Sequence, residues 1–263
     1  MERAHTTPAV LPLRPLTVGE LLDSSVALLR TSARPLLALG AGLALAEQAL
    51  LEPLRYLAAQ SADAALLSYV LFACGLGTES LILALLASPA ARAAGATLRG
   101  RTLTTRQLLA DPGNRWGATV LVALVVAGMA GFAALACAVP WLLVYGFIGL
   151  AVPALVLEPG NPGAALLRSF TLTTPRVYGI RLLGYLSWLL LRLALGFAGM
   201  FALRWFGFDS PVLLVLPWLA ANAVAYPALA CLDAALYLEA RVRREGMDLA
   251  LVLAQLGAPK VAR

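Results

Sequence analysis

This sequence predicts an all-α, polytopic integral membrane protein with six transmembrane helices, joined by short interfacial helices on one side, and three observations carry the prediction. Hydrophobic residues make up 61% of the 263 residues and charged ones 13%. The mean hydropathy of +0.83 reflects more apolar surface than a soluble domain can cover. Six apolar runs are long enough to cross a hydrocarbon core, which takes about 20 helical residues, or somewhat fewer with snorkelled ends. All but three of the 20 basic residues fall in gaps that lie on one side of those runs.

Residues 1–34 read as a cytoplasmic N-terminal segment. Arg3, His5, Arg14, Glu20, Asp23, Arg30 and Arg34 interrupt it, so no cleavable signal peptide is expected. Within it, Leu16-Thr17-Val18-Gly19-Glu20-Leu21-Leu22 has the frame of a capping box: the threonine accepts from the amide three residues on, and the glutamate reaches back. A short amphipathic helix should begin there. A six-helix domain follows over residues 35–240, with spans at Pro35 to Leu51, Ala64 to Ala87, Gly117 to Val139, Trp141 to Leu157, Ile180 to Leu203 and Pro211 to Leu238. Spans three and four are nearly continuous, and a tight turn is expected at Val139-Pro140, because proline disfavours helix at the residue before it. Between spans two and three, Leu103-Thr104-Thr105-Arg106-Gln107-Leu108-Leu109 repeats the capping frame. Asn161-Pro162-Gly163 opens a third short helix before span five. Three units of interfacial helix, outgoing span and returning span are therefore expected, related by an axis along the membrane normal.

Residues 241–263 form a basic tail. Span six should run on through Arg241, Arg243 and Arg244, whose charges suit anionic headgroups at about 1 kcal/mol each near the surface, and stop at Gly246. Met247 to Leu256 reads as a further interfacial helix with Asp248 near its start. The exceptions to the one-sided arginines are Arg55 and Arg204 on the opposite side and Arg192 inside span five. The positive-inside rule then puts both termini in the cytoplasm and the chain in a bacterial inner membrane, with lipids rather than nucleic acid as the partners of its basic charge.

The chain carries little that resembles catalytic chemistry. His5 is its one histidine, and G-x-S-x-G, the P-loop and H-E-x-x-H are missing. Cys74, Cys137 and Cys231 lie singly in apolar runs, as small buried hydrophobes do. No catalytic residue, metal site or cofactor is expected. The polar residues inside the spans are the remaining lead: Glu47, Glu79, Arg192, Asn222 and Asp233. A charge at such depth costs roughly 3 kcal/mol on insertion scales and normally faces protein or water. At about 1.5 Å per residue, Glu47 and Arg192 lie on the order of 18 Å from the arginine-rich ends, Glu79 about 13 Å and Asp233 about 12 Å. Arg192 should turn inward to an acid on span one or two. This cluster reads either as an ion pair that sets helix register or as a gate or headgroup site, unless Arg192 snorkels outward along its own helix. Gly40, Gly42, Gly128, Gly131, Gly196 and Gly199 offer close helix contacts. Pro153, Pro217 and Pro227 are candidate kinks that open a cavity beside Asn222 and Asp233.

Three stretches, RPLTVGELLDSSVALLR (Arg14 to Arg30), LLRSFTLTTPRVYGIRLLGYL (Leu166 to Leu186) and LDAALYLEARVRREGMDLAL (Leu232 to Leu251), resemble in order and spacing the bacterial membrane proteins named after the membrane domain of glycerophosphoryl diester phosphodiesterase. The resemblance implies a polytopic helical membrane domain, which some relatives fuse to a soluble phosphodiesterase domain. The loops here are too short to hold one. The first expectation for function is a non-catalytic scaffold or accessory subunit that contacts lipids, a protein partner or a second copy of itself. A transporter or lipid-handling protein with a polar intramembrane site comes second, and a membrane enzyme acting on a lipid headgroup third.

Overall fold

The computed structural model describes residues 14–110, 116–136, 138–208 and 210–246. His5, Cys137 and the expected helix at Met247 to Leu256 lie outside them. Ten helices make up the described fold, without a strand: α1 (Val18–Thr31), α2 (Ala33–Gln60), α3 (Ala64–Thr97), α4 (Thr105–Leu109), α5 (Trp116–Ala136), α6 (Ala138–Ile148), α7 (Ala151–Leu157), α8 (Pro162–Leu172), α9 (Pro175–Trp205) and α10 (Pro211–Glu245). Six segments are long and apolar enough to cross a membrane: α2, α3, α5, α6 together with α7, α9 and α10. The protein is therefore all-α and polytopic, and the order of short helix, span, span occurs three times.

The short helices begin where their caps are written. Thr17 with Glu20, and Thr104 with Gln107, form complete capping boxes at α1 and α4. Asn161 Oδ1 accepts from the Ala164 amide at 2.8 Å to open α8. At α1, Arg14 also pairs with Glu20 at 2.5 Å. That guanidinium, then the Thr17 amide and hydroxyl, hold the Glu20 carboxyl down at about 2. At the other end of the chain α10 stops at Gly246, whose φ of 59° is left-handed, a conformation glycine adopts without steric cost.

Several boundaries differ from expectation, α2 among them, which runs on to Gln60. α5 ends at Ala136 and α6 begins at Ala138, so Pro140 sits in the first turn of α6, where its missing N–H is harmless. Span four is broken between Ile148 and Ala151. Pro153 explains the position of the break, because its ring lacks an N–H and clashes with the carbonyl four residues earlier, at Gly149. α3 and α9 are longer than their hydrophobic runs. α3 carries Arg92 within its last turns, where it bonds the Leu108 and Ala110 carbonyls. α9 starts at Pro175, capped by Thr174, which places Arg181 in its second turn rather than at its first residues.

α3 packs against α2, α5, α7 and α10. Packing is densest at the arginine-rich end, where α3 is nearly continuously buried from Ile82 to Ala96 and α10 from Ala225 to Ala240. Both stretches are dominated by alanine, so backbones come close. Gly77 on α3 and Gly131 on α5 face each other, and Gly40 on α2 lies against Pro227 on α10, where an added Cβ would meet the ring at 2.5 Å. Toward the opposite end the side chains are larger and more exposed, among them Leu66, Tyr69 and Phe72 of α3. The bundle is more open there, and a cavity lies in that half, while a smaller one lies between α1, α9 and α10.

At the arginine-rich end α7, α8, α9 and α10 are knitted together by charge. Glu158, which follows α7, pairs with Arg168 of α8 at 3.0 Å and Arg241 of α10 at 3.3 Å, and also accepts from the Tyr237 hydroxyl. Arg168 pairs with Glu245 and Arg243 with Glu239. Arg176 and Arg243 both donate to the Leu16 carbonyl, at 2.8 and 2.7 Å, which ties the start of α1 to α9 and α10. Of the three arginines expected among headgroups, Arg241 and Arg243 are thus engaged by the protein's own acids and carbonyls, while Arg244 is exposed.

Candidate functional site

The polar residues of the spans divide into two sites. α9 and α10 run antiparallel, and each carries two polar residues eleven positions apart: Arg181 and Arg192 on α9, Asn222 and Asp233 on α10. Eleven residues are close to three helical turns, so each couple shares one face. The register then sets Arg181 against Asp233 and Arg192 against Asn222. Arg181 grips Asp233 through Nε at 2.6 Å and Nη2 at 3.0 Å, and both side chains are buried. Its guanidinium lies 3.8 Å from the centre of the Tyr145 ring and fills the break in span four, where a Cβ on Gly149 would collide with it.

Arg192 turns inward, as expected, and Glu79 of α3 is its acid, with Nη1 2.9 Å from Oε1. The contact is one of charge without hydrogen-bond alignment, since neither Glu79 Oε1 nor Arg192 Nε has a hydrogen-bond partner. Glu47 of α2 is reached only through Asn222, which accepts from Arg192 and donates to Glu47, each at 3.5 Å. Glu47 also accepts from the Tyr226 hydroxyl at 2.7 Å and from the Thr78 hydroxyl at 3.3 Å. Four of the five expected residues, Glu47, Glu79, Arg192 and Asn222, therefore meet. Asp233 does not join them: it lies nearer the arginine-rich end, and Arg181, at the start of span five, takes it up. Thr174-Pro175 was the signal for an earlier helix start, since Thr at the N-cap with Pro at the first helical position is a strong opening.

These four residues line a cavity of about 500 Å³. One part of its lining is polar: Glu47, Glu79, Arg192, Asn222 and Tyr226, with Gln48 and Arg55 toward the α2–α3 turn. Arg55 is held there by Gln48 at 2.7 Å and Glu52 at 3.2 Å. The other part is apolar, including Leu51, Leu71, Leu76, Leu142, Leu189 and Leu193. Phe72 and Leu186 belong to the same lining and are exposed. Between the cavity and the Arg181–Asp233 pair lie Trp141, Tyr145 and Tyr185, with ring centres 4.7 to 5.2 Å apart. Trp141 Nε1 and the Tyr145 and Tyr185 hydroxyls are buried without a hydrogen-bond partner.

No family model, curated protein or solved structure matches this chain. Nothing in these comparisons identifies the phosphodiesterase membrane-domain family. In the structure, two of the three stretches frame the site rather than form it: the second carries Arg181 and Tyr185, and the third carries Asp233, Tyr237, Glu239 and the knitted arginines, whereas Glu47, Glu79, Arg192 and Asn222 lie outside all three.

Proposed function

We propose that this membrane protein handles an amphipathic molecule, admitting it from the surrounding bilayer into the cavity between α2, α3, α6, α9 and α10. The observation that carries the reading is the cavity's composition: a polar floor of Glu47, Glu79, Arg192 and Asn222, leucine walls, and exposed Phe72 and Leu186 at the lateral edge. A pocket of this size falls within the roughly 300–1,000 Å³ typical of small-molecule sites. A packing or scaffold role, the first expectation from the sequence, requires no such space. The exposed apolar residues of its lining favour handling of a lipid-like ligand. In this proposal both termini are cytoplasmic and the cell is bacterial, so the mouth near Arg55 faces outward and the ring cluster with Arg181–Asp233 closes the inner side.

Gly75 provides the test. It lines the cavity, and an added Cβ meets nothing nearer than Leu51 at 3.9 Å, an ordinary contact. Gly75→Leu should narrow the cavity and obstruct a ligand's path through it without disturbing the backbone. Native mass spectrometry of protein released from its own membrane is expected to show a tightly held amphiphile on the wild type and none on Gly75→Leu at equal thermal stability. Bare wild-type protein, or equal retention by both, would return the reading to a scaffold.

A further inference from the structure

We propose that the cavity selects an amphiphile with an ammonium headgroup, and that Glu47 is the counter-charge that recognises it. The inference rests on the reading of the cavity as an amphiphile site and adds the chemical class of its ligand. Two carboxylates and one guanidinium meet at the floor. Glu79 takes the guanidinium at 2.9 Å, and among the described ion pairs Glu47 has none. Every donor that Glu47 is seen to accept from is neutral: the Tyr226 and Thr78 hydroxyls and the Asn222 amide. Three such donors orient a carboxylate but bring no counter-charge of their own, and a charge without a direct partner held away from water is costly. A cation beside Glu47 would remove that cost.

The walls suit the same group. Trp141, Tyr185, Trp218 and Tyr226 line the cavity with aromatic rings, whose faces attract ammonium ions, the more so when desolvated. Arg192 already uses this attraction, with its guanidinium 5.4 Å from the Tyr226 ring centre and 5.8 Å from that of Tyr185. A primary or quaternary ammonium on an alkyl chain satisfies both features at once: the head beside Glu47, the chain along the leucines toward Phe72 and Leu186. An anionic head would meet the charge of Glu47 directly.

Three amphiphiles with the same chain separate the possibilities: dodecyltrimethylammonium, dodecyl phosphate and dodecyl maltoside, each titrated into the full chain held in an amphipathic polymer belt. Apparent affinity is read from the rise in unfolding temperature, which ligand binding to the folded state produces. Wild type is expected to prefer the ammonium compound by at least about tenfold, the scale of a desolvated charge contact. Glu47→Gln, which keeps an acceptor for Tyr226, should lose that preference and leave maltoside binding unchanged, whereas Glu47→Asp should retain it. Equal binding of all three by the wild type, a phosphate preference, or an undiminished preference in Glu47→Gln would overturn the ammonium assignment and leave the cavity reading standing. Binding that Gly75→Leu does not weaken for any of the three would instead overturn the cavity reading. Should Glu47→Gln not fold, the wild-type ranking of the three heads decides by itself.

Discussion

Arg192 stands among the leucines of α9 because Glu79 and Asn222 face it from two other helices. Buried ion pairs of this kind contribute little net stability against a well-packed apolar replacement, but removing one partner leaves a lone charge and costs about 3–5 kcal/mol. Arg192→Glu and Glu79→Arg should each lose stability on that scale, and the two together should recover most of it, as read by thermal unfolding and membrane yield. Arg192→Glu with Glu47→Arg should not recover, since Asn222 stands between those residues. Rescue by the Glu47 change in place of the Glu79 change would reassign the pair.

At the scale of the element, span four is the irregular one, and its repair is visible. Where the helix breaks ahead of Pro153, the Leu150 amide donates to Ser169 Oγ at 3.1 Å, and that hydroxyl donates to the Phe147 carbonyl at 2.7 Å. Backbone polar groups freed within a membrane protein are tolerated where protein satisfies them. Here one serine of the short helix α8 serves both. Ser169 is fully buried, so no water replaces it. Ser169→Ala should leave a buried donor and acceptor unpaired and cost about 1–3 kcal/mol of unfolding free energy. A neutral substitution would mean that the break finds other partners. The same break houses the Arg181 guanidinium against Gly149, so α8, span four and the Arg181–Asp233 pair hold one another in place.

Over the whole molecule, charge and packing are graded along the bundle axis. The α3–α10 core at the arginine-rich end is dense, alanine-lined and crossed by ion pairs, whereas the end near the α2–α3 turn is loosely packed and holds the polar-floored cavity. Orientation decides which compartment the mouth faces. In a background with the native cysteines replaced, a thiol at Ala62 should react with a membrane-impermeant maleimide on intact cells. A thiol at Arg101 should react only after permeabilisation. The reverse pattern would invert the protein and turn the mouth to the cytoplasm.

Hydropathy, arginine placement and capping chemistry are local properties of the chain, and they were enough for six spans, the three short helices and the stop at Gly246. Spacing within one helix was also legible: eleven positions separate Arg181 from Arg192, and Asn222 from Asp233. Which of those residues pair is a property of register between helices, and hydrophobic periodicity does not encode register among nearly uniform apolar faces. The tertiary structure alone decided that Asp233 belongs to Arg181, that Glu79 rather than Glu47 neutralises Arg192, and that a cavity lies beside them. The physical reason is size and approach: alanine and glycine let the helices close at the arginine-rich end, while leucine and aromatic side chains hold them apart at the other.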